Sequence, residues 1–139
     1  LYDLGSSKVI NRKKFIDSAR LPLSKGIYNA AVDAVGGDIL SSMLASMEYN
    51  GIITACGNVA GANFTTSVFP FILRKNRLIG IDSARCSIPI REKIWNKFST
   101  IWRLENLDHI CKIINLNSLD KEIKKILCGK QVGRIVVQL

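Results

Sequence analysis

Short apolar runs alternate with amphipathic stretches along the chain, and the alternation predicts strands and helices in turn. Leu1–Leu4 reads as the tail of a helix ended by Gly5. The β-branched run Lys8–Asn11 then reads as a strand, and Arg12–Lys25, polar and containing Pro22, as a loop. Tyr28–Val35 (YNAAVDAV) is short, mostly apolar and stopped by Gly36-Gly37, the pattern of a buried strand feeding a tight turn. From Asp38, an N-cap candidate, Ile39, Leu40, Met43, Leu44 and Met47 fall on one helical face. Asn50-Gly51 marks a break, and Gly51–Cys56 forms a second apolar strand closed by Gly57. The loop Asn58–Thr65 leads to a short helix near Pro70–Arg74, with proline in its first turn, and Arg77–Ile81 is a third strand of this kind. Ile90, Ile94, Phe98, Ile101 and Trp102 line one face of a long amphipathic helix. The tail reads as a strand (Ile110–Leu116), a helix and a last strand (Arg134–Leu139). Asn117 and Asp120 give that helix a cap signal, Leu119, Ile123, Ile126 and Leu127 its apolar face, and Gly129 its end.

This alternation predicts an α/β fold with a parallel sheet. In such sheets ligands gather outside the carboxyl ends of the strands. Three successive strand ends carry small residues that let a ligand approach the backbone: Val35-Gly36-Gly37, Cys56-Gly57-Asn58 and Ile81-Asp82-Ser83. One such end is ordinarily only a turn; three together point to a nucleotide cleft.

Composition narrows the class. At 139 residues, with 47% hydrophobic and 22% charged residues, the chain has the make-up of one globular domain. No window approaches the ~18 apolar residues of a membrane helix, and the amino end lacks the pattern of a secretory signal. A cytoplasmic protein with no membrane partner is expected. Cys56, Cys86, Cys111 and Cys128 include no C-x-x-C pair, which favours reduced thiols, and with His109 as the single histidine no metal site is expected. The net charge of +9 comes from small groups: Arg12-Lys13-Lys14, Arg74-Lys75 with Arg77, and Lys121 with Lys124-Lys125. No aromatics are interleaved as a stacking platform requires, so these read as solvated faces and helix ends rather than a nucleic-acid site.

Single residues that invite chemistry have plainer readings. Cys56 has no base near it in sequence and reads as a small apolar strand-end residue. His109 reads as a surface or capping histidine, and Trp95 and Trp102 as core or domain-interface packing. Asp33 could serve the turn or touch a cofactor. Arg74, Lys75 and Arg77 could draw in coenzyme A phosphates or simply sit solvated at a helix end.

At these strand ends the chain resembles the medium-chain dehydrogenase/reductase superfamily, within it the zinc-independent branch of acryloyl-CoA reductases and quinone oxidoreductases. The resemblance is carried by AVDAVGG (Ala31–Gly37), ITACGNVAG (Ile53–Gly61), TSVFPFILRKNRLIGIDS (Thr66–Ser83), the REKIW that follows it, and GRIVV (Gly133–Val137). It implies residues 1–108 as part of a Rossmann cofactor-binding domain and 109–139 as the returning segment of a GroES-like catalytic domain. The implied reaction is hydride transfer from NADPH to the β-carbon of an activated alkene, an enoyl thioester or a quinone. Carried over by motif, Val35 and Gly36 would lie beside the cofactor ribose. Main-chain groups at Cys56, Asn58, Ile81 and Ser83 would hold the nicotinamide carboxamide, with Gly57 permitting close approach. Asp82 is implied as a loop residue and Arg134 as a phosphate contact. No catalytic residue is assigned, and NADPH over NADH rests on the resemblance.

The family's Gly-rich phosphate turn has no counterpart here. The chain therefore resembles the carboxyl-terminal portion of a longer enzyme, and the missing amino-terminal portion is an expected partner. In a sheet ordered 3-2-1-4-5-6, Lys8–Asn11 would be the third strand and Tyr28–Val35 the fourth. Two strands would be missing between them, a gap of roughly 14 Å at ~4.8 Å per spacing. The terminal strands would likewise lose their partners, exposing unpaired edges. A fragment of this kind is expected to be unstable alone and not to turn over substrate. A homodimer through the Arg77–Ile81 edge is a further expectation. The reading from a different class is a non-catalytic, truncated remnant; a basic nucleic-acid binder ranks below both.

Overall fold

The structure is a computed structural model and describes residues 1–105 and 107–139. The chain divides into two compact units, Leu1–Cys86 and Ser87–Leu139, with mixed α/β content and parallel sheets.

In the first unit a short 3-10 turn, Tyr2–Leu4, ends at Gly5 in the left-handed region, as the sequence predicts. Helix α1 (Arg12–Ser18) follows, where a loop was expected. The signal lies in Asn11, whose side-chain oxygen accepts the Lys14 N–H at 3.3 Å and starts the helix. Lys8–Asn11 is consequently not a strand: it runs into that cap, and among the described residues no strand is hydrogen-bonded to it. Strand β1 (Tyr28–Asp33), helix α2 (Gly37–Ala45), strand β2 (Met47–Ala55), helix α3 (Phe69–Arg74) and strand β3 (Arg77–Gly80) complete the unit.

The sheet order is β1-β2-β3 and both pairings are parallel, with Ala31 opposite Ile53 and Ile53 opposite Leu78. Leu40 and Leu44 of α2 meet Met47 and Ile53 of β2 in the core, and Tyr28, Met43, Phe64, Phe71 and Leu78 pack around them. Full burial of a side chain such as Leu44, Met47 or Ile53 contributes roughly 1.5–3 kcal/mol. Met47 thus belongs to the strand, not to the helical stripe its spacing suggested. Asp38 is not the N-cap of α2, because Gly36 takes that position and Asp38 sits in the first turn. Asn50-Gly51 does not end an element either. Asn50 adopts φ +63° and the β1–β2 register shifts there, so the break is an irregularity inside one strand.

The second unit holds α4 (Ile88–Ser99), 3-10 turns at Leu107–Ile110 and Leu116–Ser118, β4 (Cys111–Asn115), α5 (Leu119–Leu127) and β5 (Arg134–Gln138). Helix α4 stops at Ser99, so Ile101 and Trp102 lie beyond it. Trp95, Phe98 and Trp102 pack in sequence, the first pair tilted and the second edge-to-face, with centroids 5.9 and 5.8 Å apart, and Lys97 lies over the Trp102 ring. This cluster is exposed rather than core, Trp95 by 70%. The expectation that both terminal strands lose their partners fails, because β4 and β5 pair with each other in parallel, Ile113 opposite Val136. Asn117 lies inside a 3-10 turn, and Ser118 occupies the N-cap position of α5.

Among the described residues of this unit, Glu122 of α5 is the buried charge. Its carboxylate accepts from Lys112 Nζ at 2.7 Å and Lys125 Nζ at 2.9 Å, joining α5 to β4. These hydrogen bonds, that from Lys112 foremost, hold the Glu122 pKa below its ordinary value. A depressed folded-state pKa stabilises above the unfolded value and is lost as pH falls through the folded one. The second unit is therefore expected to weaken as pH drops below about 4.3, the ordinary glutamate value. Thermal melts at pH 7, 4 and 3 should show that decline, and Glu122→Gln should flatten it.

Candidate functional site

Asp33, Ala55 and Gly80 end the three parallel strands and lie opposite one another across the sheet. The chain therefore leaves β1, β2 and β3 at one sheet edge, within roughly 10 Å given ~4.8 Å per strand spacing.

The first turn is built on Asp33, whose side chain is fully buried. Its carboxylate accepts the N–H groups of Val35 (3.1 Å) and Gly36 (3.1 and 3.0 Å to the two oxygens). Its carbonyl accepts the Cys56 N–H at 2.8 Å and the Cys56 thiol at 3.4 Å. Of the two roles the sequence left open, Asp33 fills the structural one. It folds the first turn and ties it to the second strand end. Asp33→Ala is expected to cost about 1–3 kcal/mol, since it strands two turn amides, one of them buried; urea melts of the isolated chain measure this.

The first two turns then meet backbone to backbone. Val35 accepts the Ala60 N–H at 2.8 Å, and Gly36 bridges to Gly61. Gly36 sits at φ +69°, and a β-carbon there would lie inside van der Waals contact of the Gly61 carbonyl oxygen and 3.3 Å from Asn58 Cα. A β-carbon on Gly57 would fall 2.6 Å from the Ala34 carbonyl. At the third turn the Ile81 N–H donates to Ala55 at 2.9 Å. Asp82 Oδ1 accepts from the Ala84 and Arg85 amides at 3.1 and 3.2 Å, with the Arg85 guanidinium 3.8 Å from the carboxylate. Asp82 is thus the residue that shapes its own turn.

These turns gather Val35, Gly36, Cys56, Gly57, Asn58, Ile81, Asp82 and Ser83 along one sheet edge. Cys56 through Asn58 and Ile81 through Ser83 are exposed, Val35 is half-buried and Gly36 buried. Cys56 follows the end of β2 as an exposed residue, its thiol hydrogen-bonded to the Asp33 carbonyl. Arg134 opens β5 in the second unit, opposite Cys111. His109 is exposed in the turn Leu107–Ile110 of that unit. Among the described residues, no three His, Cys, Asp or Glu side chains are grouped to hold a metal, and no helix is long and apolar enough to cross a membrane.

Arg74 resolves differently from either sequence reading. Its guanidinium donates to the carbonyls of Ala45 (2.9 Å), Met47 (2.8 Å) and Ser24 (2.5 Å). It clamps the end of α2, the start of β2 and the approach to β1. Only distant carbonyls receive it, which is why sequence spacing gave no hint.

No protein-family profile matches the chain. Full-length relatives do. The quinone oxidoreductase YhfP of Bacillus subtilis is 35% identical over 140 residues, and the acrylyl-CoA reductase AcuI of Ruegeria pomeroyi 31% over 139. Each match takes in 100% of this chain and 42% of the relative, so the chain spans about two-fifths of their length. Among solved structures, B. subtilis YhfP with bound NAD superposes with a TM-score of 0.91 at 34% identity, over 99% of this chain and 42% of that one. Escherichia coli YhdH with bound NADPH gives 0.88 at 34%, over 98% and 42%. By residues, fold and alignment alike, the chain is similar to one stretch of proteins named quinone oxidoreductase and acrylyl-CoA reductase.

Proposed function

We propose that this chain is the nicotinamide-holding part of an NADPH-dependent reductase of activated alkenes, an enoyl thioester of the acryloyl-CoA type or a quinone. The observation that carries the reading is the convergence of three parallel strand ends at one sheet edge. The exposed turns after β2 and β3 support a nicotinamide cofactor there, and Gly36 and Gly57 let the neighbouring turns close against each other's backbone. Bound, the cofactor would supply the hydride.

The Cys56 and Ile81 N–H groups are already committed to the Asp33 and Ala55 carbonyls. Their own carbonyls would therefore accept from the carboxamide NH2, with main-chain groups of Asn58 and Ser83 completing the clamp. Val35 and Gly36 would lie against the ribose. A clamp of fixed backbone orients the ring face without reorganising during the reaction. Asp82 would hold the third turn, and Arg134 would meet a phosphate.

The same reading makes residues 1–108 part of a Rossmann domain and 109–139 the returning segment of a GroES-like domain. It places the enzyme in the cytoplasm, completed by the amino-terminal portion of such an enzyme and paired as a homodimer along the outer edge of β3. The second reading, an inactive remnant, draws on the small core of Leu40, Leu44, Met47 and Ile53 beside many exposed apolar side chains.

The test is co-expression with the part of B. subtilis YhfP outside the match, followed by titration of NADPH and NADH. Saturable NADPH binding, and NADPH oxidation by acryloyl-CoA or a quinone that needs both polypeptides, are expected. Binding of neither nucleotide would overturn the reading.

A further inference from the structure

Asn50-Gly51 is the one Asn-Gly pair in the sequence, and the fold favours both residues. Asn50 stands at φ +63°, a region that asparagine enters more readily than most side chains. A β-carbon at position 51 would fall 2.9 Å from Met47 Cε and 3.0 Å from the Glu48 carbonyl oxygen, which favours glycine next to it. The pair lies in the irregular part of the β1–β2 pairing, where β2 advances five positions (Met47 to Ile52) while β1 advances two (Tyr28 to Ala30). Asn50 is exposed, whereas Gly51 is buried and its N–H donates to Asn76 Oδ1 at 3.2 Å. Asn76 is itself buried, and its own N–H donates to the Pro70 carbonyl at 3.1 Å, fixing it at the end of α3.

Asparagine followed by glycine is open to cyclisation, because no β-carbon shields the nitrogen that follows. Hydroxide takes the Gly51 amide proton, the nitrogen bonds to Asn50 Cγ, and the Cγ–Nδ2 bond breaks. The departing nitrogen takes a proton from water and leaves as ammonia, which regenerates hydroxide. Water then opens the cyclic imide at either carbonyl, giving aspartate or isoaspartate.

We propose that Asn50-Gly51 is a site of this spontaneous modification, and that Asn76 restrains it by holding the attacking nitrogen's proton in a buried hydrogen bond. Cyclisation needs that bond broken and the Gly51 nitrogen turned toward Asn50 Cγ, so it proceeds from locally opened chain. Either product puts a carboxylate where an amide stood. Isoaspartate also adds a methylene to the main chain of β2, the strand that runs on to Ala55.

The experiment ages the full chain in buffer at neutral and mildly alkaline pH. Mass spectrometry of the peptide spanning 50–51 reads the exchange of NH2 for OH, and enzymatic methylation reads isoaspartate. Conversion in the folded wild type is expected to be measurable, to quicken with pH and to run about 10-fold slower than in urea. Asn76→Leu keeps the volume and removes an Nδ2 that has no partner among the described residues. It is expected to raise the folded-state rate about 10-fold, the worth of the lost hydrogen bond. Asn50→Gly suits the same φ and should abolish the signal. Where Asn76→Leu fails to fold, amide exchange in the wild type decides, with Gly51 expected to exchange about 10-fold slower than in the unfolded chain. Equal conversion in buffer and urea overturns the proposal, as does a wild type that converts only in urea or not at all. So does a folded Asn76→Leu no faster than wild type, or a Gly51 amide that exchanges as in the unfolded chain.

Discussion

Gly36→Val is expected to be among the most damaging single changes in the first unit, at about 3–5 kcal/mol, because it combines two faults. The residue holds φ +69°, a region a β-branched side chain rarely enters, and its new β-carbon would press into the Gly61 carbonyl. The backbone has to yield, and the segment that yields is the loop carrying Asn58 through Gly61. The bridge between Gly36 and Gly61 then opens, and the first two strand ends part. Urea melts of the chain should show the loss, with Gly36→Ala intermediate. In the co-expressed complex, nicotinamide nucleotide binding should fall below detection.

Arg74→Met should cost a similar amount, about 3–5 kcal/mol, through a different route. Methionine keeps the apolar stem but leaves the carbonyls of Ser24, Ala45 and Met47 without their donor. A hydrogen bond from a charged donor is worth about 1.5–3 kcal/mol, and three sharing one guanidinium do not add fully. Arg74→Lys keeps the charge yet presents a point donor where a planar fork spans three acceptors, so it should recover less than half of the loss. Chemical denaturation of the three proteins side by side makes the comparison.

The strands and glycine turns were legible in the sequence because their signals are local. YNAAVD, GIITA and RLIG are short apolar runs closed by small residues, and all three fold as parallel strands that end at one sheet edge. The residues fixing those turns were harder to read. Asp33 could not be assigned because its partners, the amides of Val35 and Gly36, are a matter of turn geometry. Arg74 reaches carbonyls as far away as Ser24, fifty positions earlier, which no spacing rule anticipates. Lys8–Asn11 has strand composition, but a strand exists only with a neighbour to bond, and Asn11 is taken as a helix cap. The Trp95, Phe98 and Trp102 stripe shows the complementary limit: periodicity identifies an apolar face, whereas burial depends on what covers it.

Amide hydrogen exchange of the co-expressed complex, with and without NADPH, puts the clamp itself on trial. Slowed exchange at the segments around Gly36, Gly57 and Ser83 together, saturating with the nucleotide, is the predicted result. Saturable NADPH binding that leaves the turns after β2 and β3 exchanging at their unliganded rates would contradict it.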